Sequence, residues 1–377
     1  MFLWLLGCTD PLVEGYFLVV SGQVVDEAAD GIGGATVRLG TGDPAEVVAI
    51  TQADADGEWS IPLVGTELLG NELRALYDAP GMTQASARYS VNLRSPTVTG
   101  LDPGPWQTWQ AAERRLPSMA LAEDVEVGRA DATVVDALGE PVIGALVELR
   151  RGWNAAASDP VLIVATTDED GRFALADAPG WWTVSVPAGA SWGASRFGLY
   201  ARVAGEPEGT IGVVPGLTPG WLTLSLTWGS HPLDLDLHLT SPLRGGQNGQ
   251  DGTGDFHVWS QNPRHPENDI AEAEAELTRM DDDGGGPEII EVVEPPDEGE
   301  TRVSVMDNDN VSDGASTQLT RSGAQVQVWL VDQEPAYFTI SPGEVATMWR
   351  PVEIETDVTY AVEGYSTGVD PTDGSAF

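Results

Sequence analysis

One stretch of this chain occurs twice, and that repeat limits the fold more than any other feature. Val24-Val25-Asp26 leads through a short turn into Gly34-Ala35-Thr36-Val37-Arg38-Leu39. Val134-Val135-Asp136 leads at the same spacing into Gly144-Ala145-Leu146-Val147-Glu148-Leu149, an offset of 110 residues. Further on, Asp54-Ala55-Asp56-Gly57-Glu58-Trp59 is matched by Asp168-Glu169-Asp170-Gly171-Arg172-Phe173. Self-similarity of this kind means that one structural unit is built twice. Val37 and Leu39 alternate with Thr36 and Arg38, the period of a half-buried strand. Asp-Gly ahead of an aromatic residue supplies the positive φ that a tight hairpin needs, so Trp59 and Phe173 are expected to point into a core. Asp168-x-Asp170-Gly171 also opens like a calcium loop. The later ligands and the terminal Glu are missing, and the hairpin is the better account.

These repeats resemble carboxypeptidase regulatory-like, or Cna-B-like, modules over residues 17–65 and 128–187. The resemblance implies Greek-key sandwiches of about seven strands, used as spacers or adhesive stalks. Some such modules carry a Lys–Asn isopeptide crosslink, but this sequence contains no Lys, so that bond cannot form. Residues 66–120 do not repeat cleanly. Within them the turn-rich segment Leu101–Trp109 is expected to pack between modules with Trp106 and Trp109 buried.

Charge narrows the function. The 377 residues carry 59 acidic and 18 basic side chains, a formal net charge of -41, and every basic residue is Arg. A phosphate backbone would be repelled, so nucleic acid is not an expected partner. Without Lys there is neither a phosphate-loop lysine nor Schiff-base chemistry. No segment reaches the roughly 20 apolar residues of a membrane-spanning helix. Leu5-Leu6-Gly7-Cys8 resembles the lipobox of bacterial lipoproteins, here preceded by a truncated signal. The resemblance implies lipidation of Cys8 and an extracytoplasmic, outer-membrane or cell-surface location. With the single Cys so used, no disulfide forms and each core holds by packing.

From Trp221 the pattern changes. Leu222, Leu224, Leu226 and Trp228 alternate with Thr223, Ser225 and Thr227, as in a half-buried strand. Leu233, Leu235, Leu237 and Leu239 then take one face, with Asp234, Asp236 and His238 on the other. Carboxylates on one strand face repel and need a cation, an Arg or open solvent. Asp281-Asp282-Asp283-Gly284-Gly285-Gly286-Pro287-Glu288 adds carboxylates on a flexible backbone, and Asp307-Asn308-Asp309-Asn310 forms a third cluster. Hard oxygen donors suit Ca²⁺. Two readings stay open: bound Ca²⁺ on Asp234, Asp236, Asp281, Asp282, Asp283 and Glu288, or a solvated or Arg-paired face using Arg279 or Arg302. All four His lie in this region without a zinc-like spacing, and His238 is expected to hydrogen-bond a carboxylate.

Leu226-Thr227-Trp228-Gly229, Asp234–His238, Phe256-His257-Val258-Trp259, the Asp282–Glu288 run and Val303-Ser304-Val305 resemble, in order, a YfaP-like family of secreted bacterial domains of unknown function. The resemblance spans residues 218–356 and implies a sandwich, with 263–276 an inserted loop. Ala271–Met280 is the best candidate for a short helix. Gly364-Tyr365-Ser366-Thr367-Gly368 matches a nucleophile elbow, but the polar sequence after it cannot supply the helix that motif needs.

The expected architecture is all-β, three Greek-key or jelly-roll-like sandwiches in tandem. Residues 1–16 are signal and linker, 17–120 the first module with its extension, 121–215 the second, 216–356 the third, and 357–377 a disordered tail. The expected function is non-catalytic: a structural or adhesive surface protein with an unidentified protein or glycan partner. The alternatives are a carbohydrate- or peptidoglycan-binding module and, more weakly, a hydrolase.

Overall fold

A computed structural model describes residues 17–41, 46–64, 72–90, 112–203, 209–217, 220–242, 255–266, 274–282, 284–296, 299–341, 344–355 and 358–367. The protein is all-β; among the described residues a single-turn helix, α1 (Gln318–Arg321), is the one helix. None is long and apolar enough to cross a membrane. Cys8, Asp283 and the Leu101–Trp109 segment lie outside the described residues. The chain divides into two compact units, Met1–Leu121 and Ala122–Phe377.

The first unit contains β1 (Phe17–Val25), β2 (Thr36–Thr41), β3 (Glu46–Gln52), β4 (Glu58–Val64), β5 (Glu72–Asp78), β6 (Ala85–Ser90), β7 (Ala112–Arg115) and β8 (Met119–Ala120). One sheet runs β4-β1-β7 with β8 also on β1, and the other runs β3-β2-β5-β6. The second unit begins with the repeat: β9 (Gly128–Asp136), β10 (Leu146–Arg151), β11 (Ile163–Thr166), β12 (Arg172–Asp177), β13 (Gly180–Val186), β14 (Ser195–Ala201) and β15 (Gly209–Val214). Its sheets run β12-β9-β15 and β11-β10-β13-β14, the same plan.

The repeated residues explain why. Asp54 Oδ1 accepts the amides of Asp56 and Glu58 at 2.9 and 3.0 Å, and Asp168 Oδ1 accepts those of Asp170 and Arg172 at 2.9 and 2.8 Å. Each carboxylate is thus occupied in closing its own turn, as Asx residues do. Gly57 and Gly171 follow at φ +77° and +71°. Asp26 and Asp136 each hold two turn amides in the same way. Trp59 and Phe173 are buried as expected.

The rest of the second unit is a larger sandwich of β16 (Leu222–Thr227), β17 (Leu235–Pro242), β18 (Asp255–Val258), β19 (Arg264–His265), β20 (Ala275–Arg279), β21 (Glu288–Val292), β22 (Glu300–Asp307), β23 (Gln325–Leu330), β24 (Ala336–Thr339), β25 (Met348–Glu355) and β26 (Val358–Ser366). One sheet runs β19-β20-β21-β16-β23-β24 and the other β18-β17-β22-β25-β26. Leu222, Leu224, Leu226, Leu235, Leu237, Leu239, Val326, Val328 and Trp349 form its core. Three expectations are corrected here. Within the expected Ala271–Met280 helix, Ala275–Arg279 is instead strand β20, in which Ala275 and Leu277 are buried and Glu276 and Thr278 are not. The supposed loop 263–276 contributes β19, paired with β20. Residues 358–366 of the supposed tail form β26, paired along β25.

Thr223, Ser225 and Thr227 are as buried as the leucines between them, so β16 is covered on both faces rather than half-buried. The preceding sandwich is the cover. Gln327 Oε1 accepts the Val213 amide at 2.9 Å, while its Nε2 donates to Arg196 O at 3.0 Å and Ser195 Oγ at 3.1 Å. Gln325 exchanges two bonds with the Gly198 backbone at 2.9 and 3.1 Å. Trp329 Nε1 donates to Ala194 O, Trp153 Nε1 to Thr339 Oγ1, and Arg196 pairs with Glu334 at 2.8 Å. Val135, Val213, Ile289 and Trp329 form an apolar cluster at the same junction. The two sandwiches are therefore one body.

Gln327→Ala would leave the Val213 amide and the Arg196 carbonyl buried without their partner, at about 1–3 kcal/mol per group. Chemical denaturation followed by tryptophan fluorescence is expected to show the variant less stable by at least ~2 kcal/mol.

Candidate functional site

Three segments far apart in sequence meet at one end of the larger sandwich. They are the start of β17, the loop that leads into β21 and the residues that follow β22. Asp234 immediately precedes β17, and its Oδ2 accepts Asn308 Nδ2 at 3.0 Å. Asp309 Oδ2 accepts the Leu233 amide at 3.0 Å, fixing the third segment against the first. Asp307 is buried and holds Asn310 through both carboxylate oxygens at 2.9 and 3.0 Å. Asp281 Oδ1 accepts the Gly284 amide at 3.1 Å, closing the glycine loop. That loop is positioned by the Trp228 amide on Gly285 O at 3.1 Å.

Glu288 is the inner wall. It is 0% exposed, and its Oε2 accepts the Leu237 amide at 2.6 Å. Leu237 needs that partner because β18 pairs with β17 only from Leu239 onward. A carboxylate thus completes a sheet edge where a strand runs out. Asp236, 1% exposed, lies beside it. Asp236 Oδ2 and Glu288 Oε1 are both buried without a hydrogen-bond partner.

The electrostatics follow from this burial. Desolvation pushes Asp236 up to about 6, opposed by a bond from Ser260 and reinforced by the charge of Asp234. Glu288 is raised well above the usual carboxylate range, again by burial first; the Leu237 and Asp281 backbone amides oppose this, and the charges of Asp236 and Asp234 add to it. Asp234 is raised by burial, lowered by Asn308, and raised again by Asp309, Asp282 and Asp281. In each case burial is the leading cause, and neighbouring carboxylates add to it.

Of the sequence-derived ligands, Asp234, Asp236, Asp281, Asp282 and Glu288 all belong to this basin, with Asp282 exposed at its mouth. Among the described residues, no group of three or more His, Cys, Asp and Glu side chains is arranged as it stands to hold a metal ion. The Arg-paired reading does not hold. Arg302 pairs with Asp255 at 3.1 Å, and Arg279 donates to Pro287 O at 3.1 Å and to Leu138 O. Nor is the row solvated at Asp236 or His238, both of which are buried.

His238 Nδ1 meets His257 Nε2 at 2.9 Å, and the ring stacks on Trp259 with centroids 5.1 Å apart. Burial and the neighbouring His257 hold its pKa well below the ordinary histidine value. Sequence reasoning missed this pairing, since the two residues belong to different strands whose register fixes it. Ser366 of the elbow-like motif is the last residue of β26, paired with Met348; the residues from 368 onward lie outside the described residues.

Asp236 binds a proton more tightly folded than unfolded, so its contribution to stability falls as pH rises from about 4 to 6. In metal-free buffer, Asp236→Asn is expected to gain on the wild type across that window, by about 3 kcal/mol at most. Denaturation midpoints at pH 4, 5, 6 and 7 measure the difference, and a pH-independent difference would contradict the assignment.

No protein-family model matches the chain, and no curated protein matches it. Among solved structures, the shaft pilin SpaA from Lactobacillus rhamnosus GG is 12% identical, over 54% of this chain and 98% of its own, with a TM-score of 0.20. GBS52, the minor pilin of Streptococcus agalactiae, is 11% identical over 54% of this chain and 97% of its own, with a TM-score of 0.20. The Bacillus anthracis TIE protein is 9% identical over 87% of this chain and 49% of its own, with a TM-score of 0.21. Scores of this size carry no argument about what this chain does.

Proposed function

We propose that this chain is a non-catalytic, extracytoplasmic structural or adhesive protein, in which a Cna-B-like module precedes a fused pair of sandwiches. The observation that carries the reading is the sealed junction within the second unit. Its buried carboxamides, Gln325 and Gln327, are satisfied by the backbone of the neighbouring sandwich rather than by water. A junction of this kind resists bending and sliding, as a load-bearing spacer requires. It also substitutes for the covalent crosslink that a Lys-free chain cannot make.

Anchoring through Cys8 belongs to the same reading and rests on the Leu5–Cys8 sequence. The carbohydrate-binding alternative draws less support, because none of the Trp side chains among the described residues is exposed for stacking on a sugar. Saturable binding to a glycan array would revive it.

Single-molecule pulling between the chain ends tests the spacer reading. Residues 122–366 are expected to extend in one event. Two separate events of about half that length would show sandwiches that unfold independently and would overturn it.

A further inference from the structure

A carboxylate taken out of water needs a proton, a cationic side chain or a metal ion. Among the described residues the two candidate cations are engaged elsewhere, Arg279 on Pro287 O and Leu138 O and Arg302 on Asp255. Two residues feel the deficit most. Asp236 and Glu288 are 1% and 0% exposed, and each keeps one oxygen, Oδ2 and Oε1, with no hydrogen-bond partner. The Leu237 amide fixes the opposite oxygen of Glu288 at 2.6 Å. Around them stand Asp234, tied to Asn308, and the carboxylates of Asp281, Asp282 and Asp309.

We propose that Asp236 and Glu288 are the inner ligands of a divalent cation site of calcium type, with Asp234 as the third carboxylate and backbone carbonyls and water completing the shell. The donors are hard oxygens, which excludes a preference for softer metals. Ca²⁺ accepts six to eight such donors in irregular geometry, whereas Mg²⁺ demands an octahedron and gives up its waters reluctantly. An irregular set of carboxylate and carbonyl oxygens suits the larger ion. Because no three side chains already form a cage, Asp234 must exchange its bond to Asn308 for the ion. That exchange sets the affinity in the range of extracellular calcium modules, about 0.1–1 mM. The site stands independently of the spacer reading.

The test compares thermal melts of the full chain in EDTA, in ~5 mM MgCl₂ and in ~5 mM CaCl₂. Ca²⁺ is expected to raise the wild-type midpoint by about 2–4 °C, and Mg²⁺ by less. Glu288→Gln keeps an oxygen for the Leu237 amide, and Asp236→Asn keeps one for Ser260. Both variants are expected to lose the calcium response while melting at or above the wild type in EDTA. A second measurement serves if either variant folds poorly. Tb³⁺ luminescence should be sensitised by Trp228, whose ring lies against Gly286, displaced by Ca²⁺, and weakened in Asp234→Asn. A wild-type midpoint unmoved by Ca²⁺ with no displaceable Tb³⁺ signal overturns the site, and so does an undiminished calcium response in both buried-carboxylate variants.

Discussion

Two glutamine side chains hold the second unit together in the way a strand pair holds a sheet. Gln325 and Gln327 project from β23 toward the neighbouring sandwich and bond to backbone groups of Gly198, Val213 and Arg196. A buried amide without a partner is costly, so each bond also dictates where the opposing strand must lie. Gly198 shows how tight the fit is: a Cβ there would sit 2.7 Å from the Tyr337 ring. Tyr337 in turn contacts Thr183 and the Asn154 amide. The polar face of the larger sandwich is therefore internal, and the two modules form one body.

The acidic basin applies the opposite logic. At the junction the carboxamides are matched and the unmatched atoms are the neutral hydroxyls of Thr223 and Ser225, whereas in the basin they are carboxylate oxygens. Glu288 closes a sheet edge through Oε2 and Asp236 is bonded by Ser260, yet Oε1 of the one and Oδ2 of the other are buried without a hydrogen-bond partner. Elsewhere, among the described residues, Arg side chains pair with other carboxylates, such as Arg115 with Glu58, Arg150 with Glu148 and Arg302 with Asp255. A chain with a formal charge of -41 and 18 basic residues has few cations to spare for buried carboxylates. Natural interiors do not leave such groups unmatched without a reason in function or in a bound ion.

What was legible in the sequence was local. The Asp-x-Asp-Gly turns, the buried aromatics Trp59 and Phe173 and the leucine alternation of β17 each depend on neighbours a few residues away. The junction was not legible, because Thr223, Ser225, Gln325 and Gln327 alternate with leucine and valine just as solvent-facing residues do. Only the docking of another module makes them internal. The Glu-rich, Ala-rich stretch before Met280 has helical propensity, and pairing with β21 overrode it. In the basin, residue types pointed to Asp234, Asp236 and Glu288. Their unequal burial, and the arrival of Asn308 and Asp309, depend on contacts across more than 70 residues.

The central claim is that the second unit is a single body locked by buried carboxamides. Native-state hydrogen exchange at two amides tests it most directly: Gly198, bonded to Gln325, and Val213, bonded to Gln327. Both are expected to exchange only through global unfolding, with the same protection and denaturant dependence as the core amides of β16 and β23. Exchange of these two amides through a lower-energy opening that spares both sandwich cores would contradict the claim.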